Sequence, residues 1–176
     1  MNRLTPEAFH DAKKLPIIVV LDNVRSQHNV GAVFRTADAF LLEAVWTCGI
    51  CPTADNVEVH KTALGAEQTV NTRHFIETLD AISALKELGY AIYAIEQAHD
   101  SITLDNFINN TLPRLNVPEA QVNSNSVAPK REASNGEAIS GIAIIMGHEV
   151  FGVQQSVIDA SDGCIEIPQY GTKHSL

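Results

Sequence analysis

Three continuous apolar runs mark out the chain: Ile17-Ile18-Val19-Val20-Leu21, Tyr90-Ala91-Ile92-Tyr93-Ala94-Ile95 and Ile142-Ala143-Ile144-Ile145-Met146. Each is rich in β-branched or aromatic side chains and gives way to polar residues or glycine. Runs of this kind lack the alternation of a half-exposed strand and predict strands buried on both faces, as in a parallel sheet. Ala44-Val45-Trp46-Thr47-Cys48 and Cys164-Ile165-Glu166-Ile167 add two more strands.

Between the strands the spacing becomes helical. Val30, Val33, Phe34, Ala37, Phe40 and Leu41 form one apolar stripe, with Asn29 as the expected N-cap and Arg35 off the stripe. Gly31, in the first turn, permits close approach of another chain or a ligand. Thr78 to Leu88 predicts a helix with Leu79, Ile82, Leu85 and Leu88 inward and Gly89 as its C-terminal stop. Residues 1–14 predict a short helix that aligns Leu4, Ala8 and Ala12, and Thr5-Pro6-Glu7 is its start. Lys61 to Glu67 reads as a loop or short helical turn, and a further helix follows Gly152.

Strands alternating with helices predict an α/β fold, a mostly parallel sheet with helices on both faces. A length of 176 residues suits a single domain with a sizeable core. From Thr111 to Gly136 the periodicity fades, and Pro113, Pro118 and Pro129 fall among asparagines and serines. Residues 111–136 therefore read as a flexible surface insertion between core elements.

Composition narrows the classes. Hydrophobic residues at 45% and charged residues at 19% are ordinary globular usage. No apolar run is long enough for a membrane span, and Met1 to Lys14 lacks the apolar core of a signal peptide. A net charge of −9 argues against broad, nonspecific nucleic-acid binding, DNA included. A local basic site remains compatible, because Arg3, Lys13, Lys14, Arg25 and Arg35 crowd the start of the chain. Cys48 and Cys51 form a Cys-x-x-Cys, but the remaining cysteine, Cys164, cannot complete a second pair. The expectation is no metal site and a reducing, cytoplasmic setting.

Two loops carry candidate chemistry. Gly147-His148-Glu149-Val150-Phe151-Gly152 follows the strand ending at Met146, and Pro168 to Gly171 follows the strand ending at Ile167. Glycine loops at strand ends are where open α/β sheets bind small molecules, so the two are expected to form one pocket. A lone Gly-x-Glu-x-x-Gly is weak, being more often a turn with a solvated acid. A dinucleotide-binding dehydrogenase is disfavoured, since no Gly-x-Gly-x-x-Gly follows the first strand.

Taken in order, three stretches resemble the motifs of the SpoU-type (TrmH-like) RNA 2′-O-ribose methyltransferases of the SPOUT superfamily. They are Asn29 to Ala37, Gly147 to Gly152, and Ile167-Pro168 through Gly171 to Ser175-Leu176. The resemblance implies a C-terminal trefoil knot, bound S-adenosylmethionine, a tRNA or rRNA substrate and a homodimer. By motif position Gly147, Ile167 and Leu176 would contact the cofactor, with Ile95 lining the adenine side. Arg35 would act at the ribose hydroxyl as base or electrostatic clamp, the clamp being favoured because a guanidinium rarely loses its proton. Asn29 would orient Arg35 or substrate, Glu149 would hold a backbone or partner side chain, and Ser175 would lie near the methyl-transfer site. From the residues alone, Asn29 as a mere helix cap, Arg35 as a solvated residue and Glu149 as a structural acid stay open. So does a noncatalytic RNA- or cofactor-binding relative. The family's third motif continues past Ser-Leu into Asn-Val-Ser and a closing helix, whereas the sequence given ends at Leu176. With little chain before the first strand, the RNA target is expected to be chosen by the catalytic domain, a dimer surface or a partner.

Overall fold

In the computed structural model, which describes residues 4–111 and 139–170, the apolar runs become the middle of one sheet. Its strands are β1 (Leu15–Asp22), β2 (Leu42–Cys48), β3 (Asn71–Phe75), β4 (Tyr90–Ile95), β5 (Ile102–Thr103), β6 (Gly141–Met146) and β7 (Gly163–Glu166). They lie in the order β3-β2-β1-β6-β4-β7-β5, and every pairing among them is parallel. The connecting helices are α1 (Pro6–Asp11), α2 (Gln27–Ala39), α3 (Val57–Ala63), α4 (Ala66–Thr69), α5 (Thr78–Glu87), α6 (Leu104–Asn106) and α7 (Gln155–Ala160). The expected α/β class with helices on both faces is the observed one.

The two-residue period of a strand assigns the core to two layers. Ile18 and Val20 of β1 pack with Ala81, Ile82 and Leu85 of α5 and Val157 of α7. Val19 and Leu21, pointing the other way, pack with Val30, Phe34 and Ala37 of α2 and Val59 and Ala63 of α3. A third cluster lies around Phe107, in a wide π-type turn (Phe107–Thr111) that continues α6, where its ring meets Tyr93 edge-on at 4.7 Å.

One buried acid fixes where the layers join. Asp22, fully buried at the end of β1, accepts hydrogen bonds from Thr78 Oγ1 (2.6 Å), Asn23 Nδ2 (2.9 Å) and the Gln154 backbone N–H (3.2 Å). It therefore ties β1 to the starts of α5 and α7 at once, and its carboxylate has the partners that burial demands.

Several local expectations give way to packing. α1 buries Phe9 rather than a stripe of Leu4, Ala8 and Ala12. Ser26, whose Oγ accepts the Asn29 N–H, caps α2; Asn29 is in its first turn, and Phe40 is exposed just past its end. Gly31 answers a helix of the same chain, because a Cβ there would stand 2.6 Å from the Val59 carbonyl oxygen of α3. In α5 the inward face is Thr78, Ala81, Ile82 and Leu85, which turns Leu79 and Leu88 to solvent. The bond from Thr78 to Asp22 sets that rotation. Gly89 takes the left-handed conformation expected after a helix (φ +78°). Of the two readings of Lys61 to Glu67, loop or short helical turn, the helical one holds, since the end of α3 and the start of α4 fall there; β3 was not foreseen. Beyond Thr111, the segment expected as a surface insertion lies outside the described residues.

Candidate active site

The sheet is parallel, so the carboxyl ends of its strands share one edge. From β1 the chain steps outward to β2 and β3, while β6 and β4 lie on the other side, so a crevice opens where the direction reverses. There Leu21 stands beside Met146, and Ile95 beside Met146 and Ile165. A cavity of about 340 Å³ opens at this point, its lining including Asn29, Ile95, Met146, Gly147, Glu149, Phe151, Gly152 and Ile167. That is within the ~300–1,000 Å³ usual for small-molecule sites.

Of the residues named from sequence, Asn29, Ile95, Gly147, Glu149 and Ile167 all line this cavity. Arg35 is exposed on α2 and is not among the lining residues. Ser175 and Leu176 lie outside the described residues, as does the rest of the tail from Gly171.

The loop after β6 is tied shut on itself. The His148 N–H donates to the Gly152 carbonyl (3.0 Å), and the Gly152 N–H donates to that of His148 (2.8 Å). His148 Nδ1 accepts the Val150 N–H at 3.0 Å, with a weaker contact from that of Phe151 at 3.4 Å. As an acceptor, this nitrogen carries no proton, so the ring is in its Nε2–H form. Gly147 is demanded by this closure. A Cβ on it would stand 2.2 Å from the Gly152 carbonyl carbon and from the Val153 nitrogen. The glycine was expected to make room for a ligand, whereas its immediate neighbour is the loop's own backbone.

Glu96 anchors the far side of the loop. Its carboxylate accepts the Val153 N–H (2.9 Å) through Oε2 and the Gln97 N–H (2.9 Å) through Oε1. Sequence reasoning missed this residue, although an acid directly after the apolar run ending at Ile95 was a usable signal.

Glu149 joins this loop to α2. Its Oε1 accepts the Ser26 N–H (2.9 Å) and the Asn29 side-chain amide (3.0 Å), and its Oε2 accepts the Arg25 N–H (3.1 Å). The first N–H groups of a helix lack partners within it, and an acid placed there also meets the positive end of the helix dipole. Partial burial pushes the Glu149 pKa up, but the hydrogen bonds from its own backbone, Ser26, Arg25 and Asn29 outweigh it. The carboxyl is held below its usual range and stays ionised. Asn29 is fixed by Glu149, not serving as the cap.

The cysteines take no part. Burial pushes Cys48 up to about 12 and Cys51 up to about 11, so both stay protonated, and Cys51 Sγ donates to the Leu21 carbonyl at 3.1 Å. No cluster of metal-ligating side chains occurs among the described residues.

Comparison with known proteins agrees with this arrangement. Residues 16–176 match the SpoU rRNA Methylase family. The chain is 26% identical over 161 residues to the tRNA (guanosine(18)-2′-O)-methyltransferase of Thermus thermophilus, covering 91% of this chain and 66% of that protein. It is 26% identical over 170 residues to the 23S rRNA (guanosine-2′-O-)-methyltransferase RlmB of Neisseria meningitidis, covering 97% of this chain and 56% of that protein. Thus the chain spans somewhat under two thirds of the length of these relatives. Among solved structures, the AdoMet-bound rRNA methyltransferase of Sinorhizobium meliloti superposes with a TM-score of 0.67 at 20% identity, over 99% of this chain and 55% of that one. At that identity the likeness is one of fold.

Proposed function

The chain belongs to the SpoU rRNA methylase family, and from that premise we propose that it transfers a methyl group from S-adenosylmethionine to a ribose 2′-hydroxyl of tRNA or rRNA. The observation that carries the reading is the set of bonds from Glu149 to Arg25, Ser26 and Asn29. They bring the start of α2 and the loop after β6 to the edge of one cavity.

The lining suits that cofactor. Half-buried Ile95 and Ile167 offer apolar faces to flank an adenine, and Met146 is 38% exposed at the end of an otherwise covered strand. Ile95, Gly147, Ile167 and Leu176 would hold the molecule, Gly147 by allowing the tight loop whose backbone faces it. Bound there, it supplies an electrophilic methyl group on a sulfonium.

The remaining work falls to the chain's own residues. A ribose hydroxyl is a poor nucleophile, so its developing negative charge needs a fixed positive partner. Arg35 fills that role as a clamp on a phosphate and on the oxyanion. A guanidinium offers a planar fork of donors and no acceptor, which suits it to clamp oxygens and not to take up a proton. Asn29, immobilised by Glu149, orients the substrate, and by motif position Ser175 would act near the transfer site. The knotted tail, a homodimeric assembly and a cytoplasmic setting belong to the same proposal. The free, buried cysteines support the last of these.

The test is transfer of labelled methyl from S-adenosylmethionine to bulk tRNA and rRNA. The label should reside in nucleotides whose 3′ phosphodiester resists alkali, the mark of a blocked 2′-hydroxyl. Binding of cofactor and RNA without transfer would favour a noncatalytic relative.

A further inference from the structure

The loop that closes so tightly on itself leaves its two largest apolar side chains outside. Val150 is 73% exposed and Phe151 82% exposed, and both line the cavity. The Phe151 ring lies against the His148 ring, with centroids 4.8 Å apart and planes 41° to each other. Because His148 Nδ1 accepts the Val150 and Phe151 N–H groups, the imidazole that backs Phe151 is itself fixed to the loop. Resting on the methyltransferase reading, we propose that Phe151, backed by His148, is a stacking platform for an unpaired nucleobase of the RNA substrate at the mouth of the cavity.

A large aromatic ring left in water is unfavourable unless something covers it in use. A ring held by a short, internally bonded loop loses little freedom when a partner stacks on it. Electrostatics points to the same kind of partner. With a net charge of −9, the chain as a whole repels a phosphate backbone, so attraction has to be local and helped by contacts that do not depend on charge. Base stacking is such a contact, and every nucleobase has a π face to offer. A local cation is also at hand. The Arg25 N–H donates to Glu149 of the same loop, while Arg25 itself is exposed.

Two other occupants fit less well. The adenine of the cofactor would have an apolar place at the strand ends, between half-buried Ile95 and Ile167, whereas Phe151 faces solvent. A second copy of the chain would cover Val150 and Phe151 together and would not need the ring to line the cavity. A paired base has both faces covered by its neighbours. A platform of this kind therefore selects a nucleotide in a loop, at an end or flipped from a helix.

The experiment uses the full chain and a pool of randomised single-stranded oligoribonucleotides, each carrying one 2-aminopurine. Wild type is expected to quench the 2-aminopurine on binding. Phe151→Ala should lose the quenching and bind the pool about 10-fold or more weakly, whereas Phe151→Trp should retain both. S-adenosylmethionine affinity by calorimetry and mass by sedimentation should be unchanged in both variants. Absence of quenching by wild type, or full RNA affinity in Phe151→Ala, overturns the platform. Loss of cofactor affinity in Phe151→Ala would move the ring to the cofactor, and a changed mass would make it a subunit contact; either also overturns it. Failure of wild type to transfer methyl would count against the methyltransferase reading alone, since the platform is judged on quenching and RNA affinity.

Discussion

Glu149 accepts the side-chain amide of Asn29 at 3.0 Å, although 120 residues separate them in the chain. The same carboxylate takes the Arg25 and Ser26 N–H groups, so one side chain sets both the start of α2 and the position of the loop after β6. Glu149→Gln keeps one acceptor oxygen and turns an NH₂ toward N–H donors. Stability should fall by about 1–2 kcal/mol at pH 7, as for charge-assisted hydrogen bonds, and methyl transfer should fall further. The folded pKa lies below the unfolded value, so this stabilisation is present above pH ~4.3 and lost as pH falls through the folded value. Urea denaturation of both proteins should show the gap constant from pH 6 to 8 and closing in acid. A gap that persists undiminished at the acid end would mean that charge is not its source.

Gly147→Ala adds one carbon where the nearest backbone atoms are 2.2 Å away. The loop must open, at a cost of about 1–3 kcal/mol, the range for overpacked sites. Cofactor affinity should drop with it, because the same loop walls the cavity. Differential scanning calorimetry beside a cofactor titration tests the link. An alanine variant with normal melting temperature and normal affinity would show that the loop yields without consequence.

Arg35 is exposed, so Arg35→Ala should change stability by no more than about 0.5 kcal/mol. Arg35→Lys keeps the charge but loses the planar fork. Both variants should bind S-adenosylmethionine as wild type does, and single-turnover methyl transfer should fall by ~10²-fold or more. Near-normal transfer by Arg35→Ala would return this residue to the solvated surface of α2.

Asp22→Ala removes the acceptor shared by Thr78, Asn23 and Gln154 in a fully buried setting. Leaving buried donors unpaired should cost about 2–4 kcal/mol, read as a lower urea midpoint. A change under 1 kcal/mol would indicate that water replaces the carboxylate.

With pKa values of about 12 and about 11, Cys48 and Cys51 present little thiolate at pH 8. Iodoacetamide should modify them only after denaturation, and the native protein should bind no zinc. Rapid alkylation of the native chain, followed by peptide mapping to either residue, would contradict that burial.

The central strands were legible because burial on both faces leaves the same mark in sequence as in structure. Ile17–Leu21, Tyr90–Ile95 and Ile142–Met146 all lie within strands. β3 was not legible. Among the described residues it is an outer strand paired with β2 alone, and its first four residues, Asn71 to His74, are exposed, so no apolar run announces it. α3 hides for a similar reason, since it buries only Val59 and Ala63. At the site, motif order pointed to Asn29, Gly147 and Glu149, while their roles depended on contacts between distant segments. The cap of α2 illustrates this: Ser26 and Asn29 are both good capping residues, and the choice is settled by Glu149 claiming Asn29. Glu96 could be singled out as an acid at a strand end, but its partner, the Val153 N–H, is 57 residues away and set by the fold.

The position of β6 between β1 and β4 has a consequence for synthesis. β1 acquires β2 soon after it is made, but its other neighbour comes more than a hundred residues later, as Leu21 against Met146 illustrates. At ~5–20 residues per second, the strand beside which β6 must insert waits roughly 6–25 s on the ribosome with one edge unpaired. β4 waits on the same arrival. These strands are among the most apolar in the chain, and open apolar edges invite pairing with other chains. A nascent chain of this protein is therefore a client for whatever shields strand edges during translation. The step that closes the open edge of β1, insertion of β6, is also the one that carries Glu149 to Asn29.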